Sequence, residues 1–248
     1  MDSLFGHLLG VIRTAESGIA LSAQSENPGL ITRTGSYIVR RIDLIGELML
    51  EHLWLVILTV IIAVIVSVIV GIIISYYDNA AQVVLWVCQI LMVIPSLAML
   101  AFMVPIFGIG FTTGVVALIL YSLLPIVRNT YTGIRELNPA IIEAAKGMGM
   151  TEWRILTRIK IPLAMPVIMA GVRTATVMVV GIAAIAAYVG AGGLGELIFQ
   201  GISRANEPMI ITGAIGVSII ALTFDFFMNW GEKRLAAAGR PGRGQNND

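Results

Sequence analysis

Charge is scarce in this chain. Of its 248 residues 12% are Asp, Glu, Lys or Arg, against ~25% in an ordinary soluble domain. With 57% hydrophobic residues and a mean hydropathy of +0.90, the composition belongs to the membrane class. Cysteine is nearly absent too: Cys88 stands alone in an apolar run, which excludes an internal disulfide and suits a small buried side chain. The two histidines, His7 and His52, have no cysteines or carboxylates at metal-ligand spacing, so no metal site is expected. The first ten residues carry an acid and no early cluster of positive charge, so a cleaved signal peptide is not expected. No internal repeat is evident, and no fused soluble domain is expected.

What is there instead is long apolar runs. About 20 apolar residues cross a bilayer as a helix. Residues 53–77 meet that length without a charge. The charge-free stretch 79–127 is too long for one crossing. Pro105, Gly108 and Gly110, with Thr112 and Thr113, mark a turn that divides it into spans at about 81–105 and 110–128. Two further spans are expected at about 168–190 and 208–230, the last closed by Trp230 and the basic pair Lys233–Arg234. The expected fold is all-α, a polytopic membrane protein of about five transmembrane helices. Residues 1–51 form an N-terminal interfacial segment, 52–231 the membrane domain and 232–248 a basic, disordered tail, with a loop at 22–28. Over 37–53, Ile38, Ile42, Ile45, Met49 and Leu53 recur at helical spacing against Arg40, Asp43, Glu47 and Glu51. This pattern fits an amphipathic helix that lies at the interface or extends the first span. Arg173 is expected to snorkel at the edge of its span, and Asp225 to pair structurally near Lys233.

Lysine and arginine set the orientation. Arg128, Arg135, Lys146, Arg154, Arg158 and Lys160 crowd one loop, and Lys233, Arg234, Arg240 and Arg243 the tail. Both are expected in the cytoplasm. Five spans then put the N-terminus outside, although Arg40 and Arg41 beside the first span pull the other way.

The loop at 135–162 is the one polar segment of any length between the spans. Asn138 is a good helix N-cap and Pro139 suits the first helical position. Ile141, Ile142, Ala144 and Ala145 give a short helix an apolar side. Gly147 and Gly149 permit a turn, Thr151 can cap a second helix, and Pro162 is expected to stop it. The spacing Glu143-Ala144-Ala145-x3-Gly149-x9-Ile159-x-Ile161-Pro162 resembles the EAA loop of ABC-importer permeases, with Ile161 in the usual Leu place. Together with 128–133 and 189–195, it is similar to the permeases of osmoprotectant importers for glycine betaine, choline or carnitine. The resemblance covers roughly 52–234. It implies a type I ABC importer permease fold in the cytoplasmic membrane of a bacterium or archaeon, and a cytoplasmic coupling helix. Glu143, Ala144, Ala145, Gly149, Ile159 and Pro162 would engage ABC ATPase subunits. ATP and Mg would be bound by those partners, with no cofactor on this chain and no nucleic acid involved. A second permease subunit, identical or paralogous, an extracellular or lipid-anchored substrate-binding protein, and membrane lipid complete the implied partners.

Gly190, Gly192, Gly193 and Gly195 match G-x-G-x-x-G letter for letter, but they follow an apolar span rather than a strand, so nucleotide binding is not expected. They suit a tight turn, and the resemblance implies an outer gate there. A quaternary ammonium prefers aromatic faces; Trp86, Phe102, Phe107, Tyr121 and Tyr188 are available, and Met92, Tyr121, Met178 and Tyr188 are candidates for lining the path. The same loop and glycine turn also suit a permease for methionine or another small amino acid. A membrane-embedded enzyme would need a nucleophile and base or paired carboxylates within the spans, and none is visible. A secondary carrier would show inverted repeats or ion ligands in broken helices.

Overall fold

The computed structural model describes residues 29–238, and every regular element among them is helical. The expectations for His7, the 22–28 loop, Arg240, Arg243 and the last ten residues lie outside that range. Helix α1 (Leu30–Arg40) leads into α2 (Ile42–Ile74), followed by α3 (Asp78–Val93), α4 (Ser96–Phe107) and α5 (Phe111–Arg135). A polar excursion carries α6 (Pro139–Gly147) and α7 (Glu152–Ile155), the latter continuing through a π turn (Leu156–Lys160) into α8 (Ile161–Ala186). After the 3-10 turn Ala187–Val189 come α9 (Gly195–Ser203) and α10 (Glu207–Ala238). Helices α2, α5, the rod Glu152–Val189 containing α8, and α10 are each long and apolar enough to cross a membrane, and α3 and α4 are so only as a pair, which gives four spans, or five where the bent pair counts as one.

Packing centres on α5, which lies against α2, α3 and α8. Glycines allow two of these approaches: a Cβ at Gly71 of α2 would sit 2.6 Å from the Thr130 Cβ, and one at Gly171 of α8 would sit 2.7 Å from both the Asn129 Cβ and the Pro125 carbonyl. Such contacts matter because apolar area alone cannot drive helices together in lipid. Buried Leu55, Leu118, Val179 and Leu194 fill the core between α2, α5, α8 and the turn before α9. His52 adds a polar tie, its Nε2 donating to the Val180 carbonyl of α8 at 3.1 Å.

Four expectations are corrected here. The amphipathic helix over 37–53 is broken at Arg41: α1 packs on α10, whereas 42–53 belong to α2, and Ile42 turns outward. One stripe cannot serve both partners across that break. The span at 81–105 is bent by 102° between α3 and α4. Pro95 causes the bend, lacking an N–H and holding Ile94 extended, while Pro105 sits inside α4 and the turn starts later, at Gly108. The third crossing runs on to Arg135, past Arg128. Finally, 232–238 continue α10 rather than opening a disordered tail.

Arg173 does not snorkel alone, and Asp225 does not look to Lys233. Arg173 grips Asp225 with two hydrogen bonds, Nε to Oδ1 at 2.7 Å and Nη2 to Oδ2 at 3.1 Å, and reaches Glu232 at 3.4 Å. A guanidinium in a span is costly unless paired, and this fork–carboxylate geometry pairs it while clamping α8 to α10.

Candidate functional site

Helix α6 begins as its residues dictate. The Asn138 side chain accepts from Ala140 N (3.0 Å) and Pro139 opens the first turn. The helix ends because Gly149 adopts φ +75°, which closes a turn through Gly149 N to Lys146 O (2.9 Å) and Met150 N to Ala145 O (3.2 Å). Thr151 then caps α7, accepting from Arg154 N, and a Lys146–Glu152 pair at 2.9 Å staples the two short helices. Of the expected apolar side, Ala145 alone is buried; Ile142 is half-buried, and Ile141, Glu143 and Ala144 are exposed. Met148 and Trp153 project beside them, 73% and 70% exposed. The outcome is a knob that turns Ile141, Ala144, Met148 and Trp153 outward and Ala145 inward. Sequence reasoning did not single out Met148 and Trp153, although a tryptophan among charged neighbours was the available signal.

Pro162 does not stop the second helix. It is the second residue of α8, where a missing N–H costs little, and the π turn ahead of it absorbs the irregularity. A rod of 38 residues, Glu152–Val189, therefore joins the knob directly to a span. Ile159 and Ile161 are half-buried on it. The knob sits at the bundle end marked by the Asp78–Arg135 pair (2.6 Å) and by Lys160 over the Tyr76 ring (4.5 Å). A cavity of about 440 Å3 lies between, lined by Tyr76, Arg135, Glu143, Lys146 and Lys160 among others.

The glycine turn lies at the other end. Gly190, Gly192 and Gly193 take positive φ, from +77° to +86°, whereas Gly195 does not. Gly195 answers to space: a Cβ there would stand 1.9 Å from the Ala184 carbonyl oxygen. Gly110 N donates to Val189 O (2.9 Å), and Gly193 N donates to the Glu51 carboxylate (3.1 Å). The turn thus ties together the ends of α2, α5 and α8 around a cavity of about 360 Å3, lined by Glu51, Trp54, Phe111, Gly190, Gly192 and Glu196, with Ala191. Burial, and secondarily the Glu51 charge, push the Glu196 carboxyl above the usual range.

The four candidate path residues are not gathered together. Tyr121 is buried and its hydroxyl donates to the Ile94 carbonyl, bracing the bend between α3 and α4. Tyr188 is exposed and packs on Phe199 at 5.3 Å between ring centroids. Met92 and Met178 are part-exposed on different helices, and neither lines the cavities described above. Trp86 and Phe102, by contrast, line one groove inside the bend.

Residues 64–237 match the family described as binding-protein-dependent transport system inner membrane component. The chain belongs to that family. Its relatives include the glycine betaine/carnitine/choline transport system permease protein OpuCB of Bacillus subtilis, 40% identical over 200 residues, covering 79% of this chain and 92% of the relative. The osmoprotectant import permease protein OsmW of Salmonella typhimurium is 43% identical over 198 residues, covering 78% and 92%. Among solved structures, the inward-facing MetNI methionine ABC transporter matches with a TM-score of 0.70 at 20% identity, over 79% of this chain and 98% of that one. That likeness shows a shared fold, an all-α membrane bundle; it is the family match that makes this chain an inner-membrane component of a binding-protein-dependent transport system.

Proposed function

We propose that this chain is the permease subunit of an ATP-driven importer for compatible solutes of the quaternary ammonium type, such as glycine betaine, carnitine or choline. The observation that carries the reading is the knob. Exposed Ala144, Ile141, Met148 and Trp153, on a turn set by Gly149 and joined to a span by a helical rod that carries one π turn, are shaped to seat in a cleft of an ATPase subunit. A rigid element of this kind passes motion to the spans without phosphate chemistry of its own. ATP and Mg would then bind to the partner ATPases, and this chain would bind no cofactor. The basic residues around the knob favour a cytoplasmic position for it, for Arg135 and for the end of α10. The start of α2 and the glycine turn then face outward, where Gly190, Gly192, Gly193 and Gly195 act as an outer gate beneath a substrate-binding protein. A second permease subunit completes the path.

The relatives' printed substrates favour osmoprotectants over methionine, since the likeness to the methionine transporter is one of fold. The test is reconstitution in liposomes with a partner ATPase and a substrate-binding protein of an osmoprotectant importer. Labelled glycine betaine should accumulate only with internal ATP, and unlabelled choline or carnitine should compete. Uptake without ATP, or of methionine alone, refutes the assignment.

A further inference from the structure

The bend between α3 and α4 forms an open groove of about 570 Å3, with Trp86, Gln89, Val93, Pro95 and Phe102 in its wall. This lies within the ~300–1,000 Å3 typical of small-molecule sites. Both rings are open to it, each 66% exposed. At one side Gln89 Oε1 accepts from Arg128 Nη2 at 3.3 Å, leaving the Gln89 amide Nε2 free to donate elsewhere. Arg128 makes no ion pair among the described residues. Gln89 lies eleven residues beyond Asp78, about 16 Å along α3 at 1.5 Å per residue. Most of this flank is apolar, with Val87, Ile90, Val93 and Leu97 exposed beside the two rings, and Gln89 and Arg128 interrupt it. On α2 the exposed stripe Ile57, Ile61, Ile65, Ile69, Ile73 presents only hydrocarbon. A glutamine and an unpaired guanidinium facing acyl chains would be costly.

We propose that this groove is a substrate site in the path and that it favours zwitterions carrying both a quaternary ammonium and a carboxylate over a simple cation. The ammonium sits against Trp86 and Phe102, and the carboxylate takes its hydrogen bonds from Arg128 and the Gln89 amide. Choline offers the rings the same cation but leaves the guanidinium without an anion, and pays like-charge repulsion besides. The inference rests on the transport reading above, and it assigns a discriminating role to residues outside both the knob and the glycine turn.

The test measures equilibrium binding of radiolabelled glycine betaine and choline to the purified permease–ATPase complex in nanodiscs, without binding protein. The native complex should prefer betaine. Arg128→Gln should weaken betaine about tenfold, the scale of a lost charge-assisted hydrogen bond, and leave choline unchanged or tighter. Arg128→Lys should keep part of the preference. Trp86→Leu should weaken both ligands, and Ile65→Ala neither. If Arg128→Gln does not assemble, Gln89→Leu carries the test and should reduce the preference. No preference in the native complex overturns the proposal. So does an equal effect of Arg128→Gln on both ligands, which would mark Arg128 as an anchor for lipid phosphate, or a Trp86→Leu variant that binds normally. ATP-driven uptake by the complete assembly separates the two readings. Failure to import either solute removes the transport assignment, whereas normal import with unaltered discrimination in the variants removes this site alone.

Discussion

Replacing Gly149 tests the mechanical link most directly. Its φ of +75° lies in the left-handed region, and a Cβ there meets nothing within 4 Å. Substitution therefore carries backbone strain without a clash. That strain is about 1–2 kcal/mol for an L-residue such as Ala, less for Asn, and more for a β-branched residue. Opposing it are the two hydrogen bonds that close the turn, Gly149 N to Lys146 O and Met150 N to Ala145 O, each contributing about 0.5–1.5 kcal/mol net. The opposing quantities are similar, so the native turn should lose roughly five- to thirtyfold in relative population in the Ala variant. Coupling should decline in the order Gly, Asn, Ala, Val. Solute imported per ATP hydrolysed in liposomes, with the ATPase and binding protein present, reads this directly, and immunoblotting checks insertion. A Val variant that couples as well as the native chain, or an Ala variant better than Asn, would refute the idea that this turn transmits the stroke.

Gly195→Ala must move backbone to clear the Ala184 carbonyl, so it should destabilise the detergent-solubilised protein by about 1–3 kcal/mol or more. Gly181→Ala, where a Cβ meets nothing, should be neutral or stabilising in the same thermal unfolding assay. Arg173→Leu should reduce folded yield by leaving Asp225 and Glu232 unpaired, and Arg173→Leu/Asp225→Leu should recover part of it; equal losses in the single and double variants would show that the pair does not act as a unit. Because Glu196 is held above the ordinary carboxylate range by burial and then by Glu51, the protonated form is the one folding favours. Its contribution is complete below the unfolded value and disappears as pH rises through the folded one. Thermal stability should therefore fall over the pH range just above ordinary carboxylate titration, and Glu196→Gln should flatten that segment of the profile.

The presence of four to five apolar spans was legible because hydrophobic length is a sum over twenty residues, and local irregularities do not alter the sum. The breaks were not legible for the same reason. Within the charge-free stretch 79–127 no polar residue alternates with the apolar ones strongly enough to go out of phase when a helix bends. Pro105, followed by two glycines, carries the stronger turn signal there, yet it rides inside α4, whereas Pro95 bends the chain by 102°. What distinguishes them is tertiary: Ile94 is held extended and its carbonyl accepts from Tyr121, a partner 27 residues away. The knob was far more readable, since Asn138, Pro139, Gly149 and Thr151 each act on backbone within three or four residues and need no distant contact. Pro162 misled because its neighbours could respond with a π turn, which no single residue type announces.

Among the described residues, three of the places where a helix departs from regularity are Arg41, the Ile94–Pro95 bend and the π turn Leu156–Lys160. Each lies where an element changes partner. Arg41 separates a helix on the flank from one in the bundle. The bend redirects α3, packed on α5, into α4, which also touches α8. The π turn converts the exposed knob into a span. A straight helix presents one stripe to one neighbour, so a chain whose helices must serve two neighbours in succession needs a break between them. Apolar composition cannot encode that requirement, because lipid and protein neighbours accept the same side chains. In a membrane bundle the polar exceptions are therefore the informative residues: Glu51 on the glycine turn, Arg173 between two spans, and Arg128 beside the bend each mark a surface that hydrocarbon alone would not have selected.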